Sequence, residues 1–212
     1  MKFFLDTANL DDISFYKDFI DGVTTNPSIM SQHSKKDYES VIEKICEMIH
    51  GPISVEVNSE TFDEMIEEGR RIAELHENIC VKLPCTFDGL RAGKILSSKG
   101  ISTNLTLCFS SPQAIMAAKS EATFVSPFIG RLDDIGSDGL LLIEEIKGIY
   151  EAQEFETQIL AASVRNIQHV IQAASIGVDA ITLPPKILKQ CFEHPLTVNG
   201  LNIFKKDWEK NK

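Results

Sequence analysis

The sequence predicts an α/β protein, a single-domain (β/α)8 TIM barrel over residues 1–212 with an extra C-terminal helix over 199–212. Three observations predict it. Eight short apolar runs alternate strictly with longer segments of helical period. Most of these runs are almost continuously apolar, as parallel strands covered on both faces must be. The chain of 212 residues suits one domain with a sizeable core, and small barrels begin near this length. A doubly wound sheet would share the alternation, but the count of eight favours a closed barrel.

In order, the runs are Phe3–Thr7, Gly22–Asn26, Ile53–Val57, Ile79–Pro84, Ser102–Leu107, Thr123–Phe128, Gln158–Ser163 and Ala180–Pro184. Between them, residues 35–50 place Val41, Ile42, Ile45, Met48 and Ile49 on one helical face. Residues 61–76 do the same with Met65, Ile66, Ile72, Ala73 and Leu75, and residues 138–152 with Leu141, Leu142, Ile146 and Ile149. Ser111-Pro112 and Leu183-Pro184-Pro185 read as helix starts, because proline is tolerated in a first turn. Ser34 followed by Asp37 reads as an N-cap with an acidic first turn. The last segment, with Phe204 and Trp208, exceeds the eight units and is expected to pack on a neighbouring subunit.

Composition narrows the function classes. A formal charge of −10 draws the chain neither to nucleic acid nor to an anionic membrane. An anionic ligand would need a local cluster of Arg or Lys. No stretch approaches the ~20 apolar residues of a membrane span. The apolar run at the N-terminus is too short for a signal peptide, so a cytoplasmic location is expected. Five cysteines at irregular spacing read as reduced and buried, and no histidine near Cys80 or Cys85 supports a catalytic thiol. The five histidines lack metal-ligand spacing on strand ends and read as surface or satisfied core residues. No metal site is expected.

In a barrel the working residues stand at the C-terminal ends of the strands. Asp6-Thr7 ends the first run and Thr24-Thr25-Asn26 the second. The third carries Glu56, the fourth Lys82, the fifth Asn104 and Thr106, and the sixth Ser126 with Arg131 just beyond. Ser163 ends the seventh, with Arg165 following, and Thr182 lies in the eighth. Lys82 is the sharpest of these signals, because an ammonium flanked by apolar residues is costly to bury. Three readings are open. It snorkels to the strand end, it pairs structurally with Asp6 or Glu56, or desolvation disfavours its charged form and leaves an amine able to attack a carbonyl. Asp6 and Glu56 would supply the proton transfers such chemistry requires. Arg131, Arg165 and Ser163, on adjacent loops, suit a phosphate as well as they suit surface ion pairs.

At these residues the chain resembles the transaldolase family, specifically the small subfamily that includes the fructose-6-phosphate aldolases. The resemblance runs essentially end to end. It rests on Phe4-Leu5-Asp6-Thr7-Ala8, Gly22-Val23-Thr24-Thr25-Asn26-Pro27-Ser28, Val81-Lys82-Leu83-Pro84, Asn104-Leu105-Thr106-Leu107-Cys108-Phe109-Ser110, Ser126-Pro127-Phe128-Ile129-Gly130-Arg131 and Ala161-Ala162-Ser163-Val164-Arg165. It implies that Lys82 forms a Schiff base and that Asp6 is the acid/base at the substrate hydroxyl. It implies that Glu56 and Thr106 hold a water that shuttles protons. By the same resemblance Asn26 and Asn104 bind sugar hydroxyls beside Ser126, Phe128 lines the pocket, and Arg131, Ser163 and Arg165 bind the phosphate. No metal or organic cofactor is implied, because the lysine iminium is itself the electron sink.

Two positions separate the subfamilies. The aldolases have Tyr where this chain has Phe128 and Gln where it has Glu56, and their fifth strand lacks Asn-Leu-Thr. The resemblance therefore implies a transaldolase of the pentose phosphate pathway. It would act on sedoheptulose 7-phosphate and glyceraldehyde 3-phosphate to give erythrose 4-phosphate and fructose 6-phosphate. The alternatives are a fructose-6-phosphate aldolase and, from another class, a non-catalytic sugar-phosphate-binding barrel. The resemblance also implies a homo-oligomer, a ring of five or ten subunits with exchanged helices.

Overall fold

The computed structural model describes residues 1–31 and 38–210. Its strands are β1 (Lys2–Asp6), β2 (Gly22–Thr24), β3 (Ile53–Glu56), β4 (Ile79–Pro84), β5 (Thr103–Cys108), β6 (Phe124–Pro127), β7 (Gln158–Ala161) and β8 (Ala180–Leu183). All pair in parallel in sequence order, and β8 closes on β1. The predicted (β/α)8 barrel is the observed fold.

The helices on the outside are α1 (Leu10–Tyr16), α2 (Pro27–Met30), α3 (Tyr38–Met48), α4 (Phe62–Ala73), α5 (Phe87–Ser97), α6 (Ser111–Lys119), α7 (Ile129–Asp133), α8 (Gly139–Ala152), α9 (Ile167–Ile176) and α10 (Pro185–Gln190). A final helix, α11 (Pro195–Lys210), follows them. It starts at Pro195 rather than at 199, because proline takes a first helical position without losing a needed hydrogen bond. The expected cap at Ser34 and Asp37 lies outside the described residues.

Strand alternation divides the core in two. Outward residues such as Leu5, Val23, Val55, Val81, Leu83, Leu105, Val125 and Ile181 pack with Ile13, Ile42, Ile45, Ile72, Leu96 and Ile143 of the helices in one continuous core. Inward residues Phe4, Cys80, Phe124, Leu160 and Ala180 form a second, smaller cluster inside the barrel. Phe4 and Phe124 meet edge to face there, their ring centroids 5.7 Å apart. This plug is the floor of the barrel, and the polar residues stand above it. The next inward positions on the same strands are Asp6 after Phe4, Lys82 after Cys80, Ser126 after Phe124 and Thr182 after Ala180.

Several apolar runs stop short of their predicted ends because the backbone changes task. Asn26 was expected in the second strand, but its side chain caps α2 by accepting from the Ile29 N–H at 2.9 Å. The seventh strand stops at Ala161, since Ser163 takes a left-handed φ of 60°. Among the described residues no helix is long and apolar enough to cross a membrane.

Candidate active site

A recess of about 180 Å³ opens at the C-terminal rim of the barrel. Asp6, Asn26, Lys82, Asn104, Thr106, Ser126, Phe128, Arg131, Ser163 and Arg165 all line it. Glu56, the remaining sequence-predicted residue, stands beside Lys82 rather than in the wall. Thr24, Ala162, Val164, Thr182 and Pro184 complete the lining. A larger recess of about 460 Å³ between β3 and α4 is lined by Asn58, Ser59, Glu64, Glu67, Glu68 and Arg71. It lacks the lysine and is predominantly acidic, so it is the poorer place for a reacting centre or an anionic ligand.

Lys82 is 5% exposed, so it does not snorkel. Its Nζ donates to the Thr25 carbonyl oxygen at 2.6 Å and pairs with Glu56 Oε2 at 3.0 Å. Register explains the pairing, because Glu56 and Lys82 are Cα partners on β3 and β4. A buried charge is tolerated when paired and hydrogen-bonded, and here the carboxylate comes from the neighbouring strand β3 and the carbonyl from the residue that follows β2. The expected choice between Asp6 and Glu56 thus resolves to Glu56 as the contact partner.

Asp6 faces Lys82 from the far side of the recess floor. Its Oδ1 accepts from Thr24 Oγ1 at 2.8 Å. Thr24 has a single hydroxyl hydrogen, so Thr182 donates the contact of 2.6 Å between the two threonines. Enclosure raises the Asp6 carboxyl above the ordinary aspartate range, and the Thr24 hydrogen bond and the Lys82 charge only partly counter it. A carboxyl held in this way gives up and takes back a proton more readily near neutral pH than an exposed one.

A hydrogen-bonded row crosses the opposite wall. Ser126 Oγ donates to Asn104 Oδ1 at 2.7 Å, and Asn104 Nδ2 donates to Ser54 Oγ at 3.1 Å. Both Ser54 and Asn104 are fully buried. Thr106 Oγ1 is the one buried side-chain polar atom among the described residues with no hydrogen-bond partner. Such an orphan in a recess is placed to hold a small polar molecule. Cys80 lies below Lys82, and burial pushes its thiol up to about 12, so a thiolate there is disfavoured. Four of the five free cysteines are buried, while Cys191 is exposed.

The cationic end is built from the start of α7 and the loop after β7. The Ile129 and Gly130 N–H groups donate to the Ala162 and Ser163 carbonyls at 3.0 and 3.1 Å. A Cβ on Gly130 would stand 2.2 Å from the Ser163 oxygen and 2.5 Å from Arg165 Cγ, so glycine alone lets the Arg165 side chain cross there. Arg131 lies 5.0 Å over the Phe128 ring, and Phe128 meets Phe109 edge to face. Arg165 Nη2 pairs with the exposed Asp134 at 3.1 Å. These arginines thus adjoin one recess, with an exposed ion pair as the resting partner of one of them.

Sequence reasoning missed Ser54, Gly130, Asp133 at the end of α7 and Asp134 just after it. Ser54 carried a usable signal, since it stands two residues before Glu56 and so points to the same side of β3. Gly130 carried none, because the crowding that demands glycine comes from residues 33 and more positions away.

A closed parallel barrel, with one polar recess at its rim equipped with a buried lysine, two carboxylates and two arginines, defines an enzyme scaffold of the α/β-barrel kind. Residues 3–212 match the family Transaldolase/Fructose-6-phosphate aldolase. The chain belongs to this family and is a transaldolase-family enzyme. It is 51% identical over 212 residues to a "Probable transaldolase" of Bartonella tribocorum, covering 99% of this chain and 97% of the relative. It is 52% identical to one from Ruegeria pomeroyi, with 98% and 96% covered, and 49% identical to one from Desulfosudis oleivorans, with both chains wholly covered.

Proposed function

We propose that the protein is a transaldolase that moves a dihydroxyacetone unit from a ketose phosphate to an aldose phosphate through a Schiff base on Lys82. The observation that carries this reading is the enclosed Lys82 amine, with Glu56 at 3.0 Å and the raised Asp6 carboxyl on its other side. Lys82 Nζ attacks the ketose carbonyl, and the carbinolamine loses water to give an iminium. Glu56 accepts the amine proton and returns it to the leaving hydroxyl through a water held with Thr106. Asp6 takes the proton from the hydroxyl next to the scissile bond, and the electron pair of that bond moves into the iminium. The aldose leaves, the bound enamine attacks the acceptor aldehyde, and hydrolysis of the new iminium frees Lys82.

Asn26 and Asn104 orient the sugar hydroxyls, and Ser126 fixes the Asn104 carboxamide. Arg131, Ser163 and Arg165 hold the phosphate, which displaces Asp134 from Arg165. In this reading the donors are sedoheptulose 7-phosphate and fructose 6-phosphate, the acceptors are glyceraldehyde 3-phosphate and erythrose 4-phosphate, and the reaction belongs to the pentose phosphate pathway. Phe128 presents no hydroxyl to a water near the enamine, which favours transfer over release. The exposed apolar faces of α11 and of the α1/α10 side point to a homo-oligomer.

An assay of free dihydroxyacetone from fructose 6-phosphate, with and without erythrose 4-phosphate, tests the reading. A transaldolase releases little without acceptor, and Phe128→Tyr increases that release. Release by the wild-type protein at one rate in both conditions would instead identify a fructose-6-phosphate aldolase.

A further inference from the structure

Behind the two arginines lies a buried histidine to which the proposed reaction gives no part. His169 sits in the first turn of α9 and is 6% exposed. Its ring joins two segments of the cationic end. Nε2 meets Asp133 Oδ2 at 3.0 Å, at the C-terminal end of α7. Nδ1 accepts the backbone N–H of Arg165 at 3.3 Å, in the loop after β7. A ring nitrogen that accepts carries no hydrogen, so the hydrogen resides on Nε2 and is donated to Asp133. The other Asp133 oxygen accepts the N–H of Gly139, the first residue of α8, at 3.1 Å.

This makes a clamp with two ends. The start of α7 is tied to the β7 loop by the backbone bonds of Ile129 and Gly130. The far end of α7 is tied to the same loop by His169. Arg131 lies on α7 between the ties, and Arg165 carries the N–H that the imidazole accepts. We infer that His169 is a positioning residue that sets the separation of Arg131 and Arg165, and through it the grip on a phosphorylated sugar. The inference rests on the phosphate role proposed above. His169 touches no reacting atom, and Lys82 lies on β4, two strands before β6, which leads into α7. Its loss therefore weakens binding of the phosphate and spares the chemistry at the amine. The backbone ties remain, so the loss is partial.

The test compares His169→Phe, which keeps a ring and removes both bonds, with His169→Asn and His169→Gln. Asn keeps an acceptor near the Nδ1 position, and Gln keeps a donor near the Nε2 position. Two readouts are taken on each full-length variant. One is KM and kcat for fructose 6-phosphate. The other is borohydride trapping of dihydroxyacetone, which carries no phosphate and requires only the amine. His169→Phe raises KM about tenfold, with kcat and trapping within about twofold of wild type. Asn and Gln each restore part of the affinity. An unchanged KM in all three variants overturns the inference. So does a fall in trapping that parallels the loss of activity, since a general loosening of the fold would produce it. If the Phe variant fails to fold, Asn and Gln give the same split with smaller shifts. Failure of the wild-type protein to process fructose 6-phosphate at all would overturn the parent reading along with this one, whereas an unchanged KM overturns this one alone.

Discussion

Asp6 and Lys82 line the same recess, yet their surroundings differ. The ammonium has a carbonyl and a carboxylate against it. The aspartate has a single threonine hydroxyl as partner and is enclosed, so its proton is held more tightly in the folded protein than in the unfolded chain. The sign of the linkage follows. A carboxyl raised in this way contributes stability below its unfolded pKa and loses it as pH rises through the folded value. Asp6→Asn removes the cost of the ionised form. It is expected to raise the melting temperature at pH 7–8, with the gain shrinking towards about pH 4, while transfer falls by about 10²–10⁴. Calorimetry across pH together with a transfer assay checks both parts. Lys82 was legible in the sequence because an ammonium inside an apolar run demands an explanation. The identity of its partner was not, because Asp6 and Glu56 both stand near the ends of their runs and only the register of β3 on β4 brings Glu56 into contact. His169 was legible only as a satisfied core residue, since its partners Asp133 and Arg165 come together through the packing of α7 and α9 on adjacent strands.

At the scale of elements, the eight strands follow directly from the apolar runs, and six-residue β4 matches its run residue for residue. Two discrepancies fall where a strand hands over to a site. Asn26 leaves β2 to cap α2, and Ser163 leaves β7 through a left-handed turn. Turn geometry of this kind depends on the neighbouring strand and leaves no periodic trace. The junction of β6 and β7 carries the sharpest steric demand in the site. Gly130→Ala sets a methyl group against the Ser163 carbonyl and the Arg165 side chain. It is expected to cost about 1–3 kcal/mol of stability. It should also raise KM for phosphorylated ketose more than it lowers kcat. Denaturant unfolding and steady-state kinetics check the two effects. Wild-type values for both would contradict the placement of Arg165 across that glycine.

For the whole molecule, the barrel buries most residues of its strands, while α11 buries none of its described residues. Leu201, Phe204 and Trp208 are each more than 60% exposed on it. An apolar recess of about 320 Å³ is lined by Phe15, Tyr16, Phe19, Phe192 and the stems of Lys189 and Glu193. Exposed apolar surface on this scale marks an interface. The sequence showed a helix beyond the eight units, with Phe204 and Trp208 expected to pack on a neighbouring subunit, but not the apolar recess beside Phe15 and Phe192, which forms only when α1 and the end of α10 come together. The proposed homo-oligomer predicts that native mass spectrometry finds a ring of several subunits and that Trp208→Glu with Phe204→Glu shifts it to smaller species. A monomer in both proteins would contradict that assembly.

Mass spectrometry of the protein reduced with borohydride in the presence of fructose 6-phosphate decides whether the enclosed amine of Lys82 bonds covalently to a sugar carbonyl. One added three-carbon unit is expected, located by peptide mapping on Lys82 and absent from Lys82→Ala. A unit on another lysine, or no adduct on a protein that still turns over fructose 6-phosphate, would contradict it.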